Sequence, residues 1–106
     1  MLEARKVWKY RFKFLLFAAT KEVSVCDLRV LGNLLDRFNP KHGDCWPAIK
    51  TIAEDVGVST RQVSRSISKL EELELIDVTR TEGRSSNYAP AWEEFDEGEE
   101  VLDGDV

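Results

Sequence analysis

Cysteine and histidine are scarce in this chain, with two cysteines and one histidine among 106 residues. Cys26 and Cys45 show no Cys-x-x-Cys spacing, and His42 has no set of ligand partners around it. Neither a disulfide framework nor a zinc site is implied, so no cofactor or metal is expected. Long apolar runs are also missing. The most concentrated, Phe14 to Ala19, is six residues long, whereas a membrane-spanning helix needs about 20. It also falls short of the roughly seven to fifteen apolar residues of a secretory signal, and Phe17-Ala18-Ala19-Thr20 makes no convincing small-x-small cleavage site. A cytoplasmic chain with no membrane partner is expected. No phosphate-binding loop, Ser/His/Asp set or pair of carboxylates on rigid elements is legible, so an enzyme is not expected.

Basic residues are outnumbered 15 to 20, and the formal charge of −5 disfavours a nucleic-acid partner on average. The distribution reverses that reading. Residues 93–106 hold eight acidic residues and no basic one, leaving residues 1–92 with 15 basic against 12 acidic, a net +3. Met1 to Lys21 alone carries six basic residues against one acidic, a net +5. The expected organisation is one domain over 1–92 and an acidic, disordered tail over 93–106, which has too little apolar content to fold alone. Such a tail solubilises, competes for the basic face, or links to a protein partner; the first role is the simplest. At 42% hydrophobic and 33% charged, the chain reads as soluble and globular with one modest core.

In the first segment, Met1 to Thr20, Trp8, Tyr10, Phe12 and Phe14 alternate with Lys9, Arg11 and Lys13 at strand period. Trp8, Phe12, Leu15, Leu16 and Ala19 also fit helical spacing, and the apolar second half favours helix. Most of its basic residues read as a solvated face, with phosphate contact as the alternative. Ser24 can cap a second helix with Asp27 in its first turn and Leu28, Leu31, Leu34, Leu35 and Phe38 on one face. Asn39 to Asp44 is a turn, and Cys45-Trp46 a short extended stretch before Pro47.

Ile49, Ile52, Ala53 and Val56 mark a short helix, Gly57 offers a left-handed turn, and Ser59 opens a helix with Val63, Ile67 and Leu70 on its inner face. Ser59 with Gln62 fits a reciprocal capping box, leaving the helix start available to a phosphate. The opposite face carries Arg61, Arg65 and Ser68, flanked by Gln62, Ser64 and Lys69, with Glu71 and Glu72 only at the far end. Arg and Gln read base edges bidentately, and Ser and Thr serve phosphates or bases. An ordinary solvated helix face is the bland alternative, but the absence of acid from the near half favours DNA. Ile76 to Arg80 and Asn87-Tyr88-Ala89, split by Thr81 to Ser86, read as a β-hairpin. Its arginines, Arg80 and Arg84, suit a wing on the flanking DNA backbone or minor groove, or an ordinary exposed turn.

From about Trp8 to Trp92, and most specifically through Cys45-Trp46-Pro47, Ile52-Ala53-Glu54-Asp55-Val56-Gly57-Val58-Ser59, Leu70-Glu71-Glu72-Leu73 and Leu75-Ile76, the chain resembles the winged helix-turn-helix family of phage and plasmid replication proteins and bacterial regulators. The resemblance implies a mainly α fold with a small β-hairpin wing. It places Thr60, Arg61, Gln62, Ser64 and Arg65 at DNA and maps the wing to Arg80 through Ser86, including Arg84 and Ser85; the cap at Ser59 and the outer-face Ser68 and Lys69 join these as DNA-binding candidates. Two positions depart from the pattern: Ala48 stands where a capping Ser is usual, and Glu74 where Gly is usual. The first costs a cap and the second implies a strained backbone or a different exit.

The expected function is sequence-specific binding of double-stranded DNA, as a transcriptional regulator or a component of a plasmid or phage replication initiator. The alternative is a winged-helix protein-interaction module without DNA binding. A homodimer is left open, with the aromatic N-terminal segment serving as core or as dimer contact.

Overall fold

The computed structural model describes residues 4–39 and 41–91, with 4–10 described by backbone alone. The acidic segment 93–106 and the side chain of Trp8 lie outside the described residues. The described elements run in the order α1 (Ala4–Ala18), α2 (Val25–Arg37), α3 (Ile49–Val56), α4 (Thr60–Glu72), β1 (Ile76–Thr79) and β2 (Asn87–Pro90). None of the described helices is long and apolar enough to cross a membrane.

The first segment is helical, but its inner face differs from the one the spacing suggested. Phe14 and Ala18 are fully buried, whereas Phe12 is 63% exposed, Leu16 is 55% exposed and Ala19 faces solvent. Apolar residues lie on both sides of this helix, so periodicity alone does not select one. Packing against α2 selects the Phe14 side, where Arg11 Nη2 donates to the Phe38 carbonyl at 2.8 Å and places a cation at the C-terminal end of α2. Lys21 Nζ lies 4.7 Å from the centre of the Phe17 ring. Both basic residues therefore serve the fold.

α2 starts with a complete capping box. Ser24 Oγ accepts from the Asp27 N–H at 3.0 Å, and Asp27 Oδ2 accepts from the Ser24 N–H at 2.9 Å. The reciprocal box expected at Ser59 is only half made: Ser59 Oγ accepts from the Gln62 N–H at 3.1 Å, without the return bond from the Gln62 side chain. An ionised carboxylate gains a charge-assisted bond at the positive end of a helix, and a neutral amide gains less. α2 buries Val30, Leu31, Leu34 and Leu35, with Phe38 just beyond. Val30, Leu31, Leu34 and Leu35 join Ile52, Ala53, Val63, Ile67, Leu70, Leu75, Ile76 and Tyr88 in one core.

α4 packs mainly on α2 and α3. Its buried Ser66 donates to Cys26 Sγ at 3.5 Å, which satisfies a hydroxyl otherwise set in apolar surroundings. α3 is tied to α2 at the surface by Asp55, which pairs with Arg37 and accepts from Asn33 Nδ2 at 3.1 Å. Those bonds hold the Asp55 carboxyl below its ordinary range, the Arg37 bond foremost.

The hairpin is antiparallel, with Ile76 opposite Pro90 and Thr79 opposite Asn87. Cys45 adds a single bridge on the other side of β2, exchanging backbone bonds of 2.9 and 2.7 Å with Tyr88. The short extended stretch thus anchors the segment before α3 to the wing. The buried Cys45 thiol, 3.4 Å from the Leu34 carbonyl, is pushed up to about 11, chiefly by desolvation and then by Asp44.

Candidate nucleic-acid interface

The two helices of the motif meet at a turn built from local preferences. Gly57 is left-handed, with φ of 75°, and its N–H returns to the Ala53 carbonyl at 2.9 Å. Ser59 is extended and caps α4. Val63, Ser66, Ile67 and Leu70 then turn inward, so the helical period directs Arg61, Ser64, Arg65 and Ser68 outward. Arg61, Ser64, Arg65, Ser68 and Lys69 line one open depression together with Glu72, the last residue of α4. Thr60 is exposed at the helix start, Gln62 is half-buried, and the Ser59 hydroxyl accepts the capping bond.

The wing divides its basic residues. Arg84 and Ser85 are exposed beyond the turn, where the Arg84 N–H donates to the Thr81 carbonyl at 3.1 Å and Gly83 is left-handed. Arg80 is engaged at the wing's root: its guanidinium meets Glu71 at 3.1 and 2.9 Å, a two-point ion pair between β1's end and α4. Arg80 holds the Glu71 carboxyl below its usual range, and Glu71 raises Arg80 in return. The sequence pairs Arg80 with Arg84 as a wing contact and marks Glu71 only as acid at the far end of the helix. The two are nine positions apart, so no helical or strand spacing announces their meeting.

Trp46 is a further exposed residue beside the wing, one that no motif in the sequence singles out as a contact. It is 50% exposed and packs edge-to-face with His42, with ring centres 5.5 Å apart. Strand alternation was the available signal, because an inward Cys45 turns the next side chain outward. Among the described residues no group of three His, Cys, Asp or Glu side chains is arranged to hold a metal ion.

Residues 27–76 match the family model described as a helix-turn-helix domain, a span from α2 to the start of β1. No curated protein sequence matches the chain. Among solved structures it is similar to YusO from Bacillus subtilis, with 24% identity and a TM-score of 0.51 over 94% of this chain and 65% of that one. It is similar to MepR, a transcription regulator of the Staphylococcus aureus multidrug efflux pump MepA, with 18% identity and a TM-score of 0.50 over 92% and 76%. It is also similar to a cysteine-to-serine mutant of Lactococcus lactis ZitR in complex with DNA, with 19% identity and a TM-score of 0.52 over 98% and 80%. At these identities the likeness is one of fold: the chain has a winged helix-turn-helix architecture.

Proposed function

We propose that this chain binds double-stranded DNA in a sequence-dependent manner and acts as a transcriptional regulator. The observation that carries the reading is the division of α4 into an inner face buried in the core and an outer face of Arg61, Ser64, Arg65 and Ser68. Acid enters that surface only at its far end. MepR and the DNA-bound ZitR support a regulator over a replication-initiator component, which rests on the sequence resemblance alone.

In this reading α4 enters the major groove, where Arg65 reads a base edge and Arg61, Gln62, Ser68 and Lys69 flank it. Ser59, Thr60 and Ser64 serve the near phosphates, and Arg84 and Ser85 the backbone under the wing. Arg80 holds the wing against α4 through Glu71. The outward Phe12 and Leu16 of α1, one turn apart, suit a second copy of the chain, giving a homodimer on a two-fold site with half-sites about 34 to 36 Å apart. Residues 1–92 form the DNA-binding unit, which works in the cytoplasm, and the acidic 93–106 segment is a solubilising end.

Selection from random duplexes, followed by titration at several salt concentrations, tests the reading. An enriched motif is expected, with affinity falling linearly in log salt as phosphate counterions are released. Arg65→Ala should weaken the selected duplex by about 1 to 3 kcal/mol and relax preference at one or two base pairs. Arg84→Ala should weaken all duplexes alike and lower the salt slope by about one. No enrichment and no salt-dependent duplex affinity would leave a protein-interaction module instead.

A further inference from the structure

The basic tip of the wing faces a second wall. Arg84 and Ser85 line a cleft together with His42, Asp44, Trp46 and Asn87. The loop on the far side is held in place. The Asn39 carbonyl accepts from the N–H groups of His42 and Gly43 at 3.1 and 2.8 Å, and the Asn39 N–H donates to the Asp44 carbonyl at 2.9 Å. Asn87 Nδ2 donates to Asp44 Oδ2 at 2.8 Å, which ties the loop to β2 and engages one oxygen of the cleft's carboxylate.

Trp46 is fixed from both sides. Cys45 before it is bonded to Tyr88 through two backbone hydrogen bonds, and Pro47 after it restricts the backbone. The His42 ring meets its indole edge-on. Half of a large ring is thus presented to solvent from a rigid support, beside a guanidinium and a hydroxyl. Guanidinium and hydroxyl groups take phosphate oxygens, and an indole offers a flat apolar surface with one polar edge, as suits a sugar or an unpaired base face. Continuity with the proposed wing contact decides the partner, because Arg84 and Trp46 line the same cleft.

We infer that this cleft takes the DNA sugar–phosphate strand flanking the base pairs read by α4, with Arg84 and Ser85 on phosphate and Trp46 packed on deoxyribose. The inference rests on the DNA-binding reading and extends that interface from the wing to the loop before α3.

The test uses the full chain and a duplex enriched by selection, with hydroxyl-radical footprinting and binding titrations of Trp46→Ala, Trp46→Gln and Trp46→Phe. The alanine and glutamine variants should lose protection of a backbone segment outside the α4 contacts. They should bind about five- to tenfold more weakly on every duplex, with the same base preference, as expected for loss of one aromatic platform. Trp46→Phe should retain most of both signals. The glutamine variant keeps a polar group at an exposed position and covers the case in which alanine perturbs folding; thermal melting identifies that case. Unchanged footprint and affinity in a folded Trp46→Gln would overturn the cleft while Arg65→Ala still reports on α4. A loss confined to one sequence would also overturn it. Failure of the unsubstituted chain to bind any duplex would instead sink the DNA-binding reading itself.

Discussion

The two helices of the motif end in the same backbone motif with different residues at its critical position. After α3, the Val58 N–H reaches back to the Ala53 carbonyl at 3.1 Å, with left-handed Gly57 between them. After α4, the Leu75 N–H reaches the Leu70 carbonyl at 2.9 Å and the Glu74 N–H reaches Glu71 at 3.0 Å, with Glu74 at φ of 59°. Both are the helix-ending turn in which a left-handed residue lets the chain satisfy the last carbonyls. At Gly57 the residue itself supplies the conformation. At Glu74 the surroundings impose it, because Leu70 and Leu75 on either side are both buried and clasp the turn from the core. Local preference and tertiary packing thus reach one geometry by separate routes.

Breaking the first route should have the largest effect. A Cβ at Gly57 would meet nothing within 4 Å, so the cost of substitution there is backbone strain rather than collision. Gly57→Val should lose about 3 kcal/mol, the upper end for a non-glycine residue held in a sparsely populated region. DNA affinity should fall with the folded fraction; thermal melting beside duplex titration checks both. Normal melting would mean that the turn relaxes without its glycine.

A smaller loss is expected from Ser59→Ala, which removes the single side-chain cap at the start of α4. About 1 kcal/mol should disappear in denaturant melts. α3 already begins without such a bond, since Ala48 has no hydroxyl to offer. A negligible change at Ser59 would mean that both starts are held by packing alone.

The smallest effect sharpens the comparison from the other side. Glu74→Gly relieves about 1 to 2 kcal/mol of left-handed strain but frees the unfolded chain by about 0.4 to 1 kcal/mol. The net should be a gain of about 0.5 kcal/mol, visible as a small rise in melting temperature. A loss would show that the Glu74 side chain contributes more than its backbone costs.

The strained exit at Glu74 and the missing cap at Ala48 were legible as departures from the family pattern, and both are present in the fold. The inner face of α4 was legible because Val63, Ile67 and Leu70 repeat at helical spacing with polar residues opposite. Ser66 shares that spacing, but the partner of its buried hydroxyl, Cys26 forty positions away, was not legible. Of the α4 candidates, Arg61, Ser64, Arg65, Ser68 and Lys69 form one surface as the helical period required, while Gln62 is half-buried. Arg80 separates from Arg84 because Glu71 lies within its reach, a matter of how the wing folds back on α4.

By itself the sequence determined the helices, the Gly57 turn, the Ser59 cap and the hairpin, because φ preference, capping and periodicity act within a few residues along the chain. Only the tertiary structure decided which apolar side of α1 is buried, that Arg11 caps the end of α2, that Arg80 is tied to Glu71, and that Trp46 faces the wing. Each of those outcomes depends on distances between residues remote in the chain, which are set when α1, α2 and the hairpin close around one small core and are written in no local pattern.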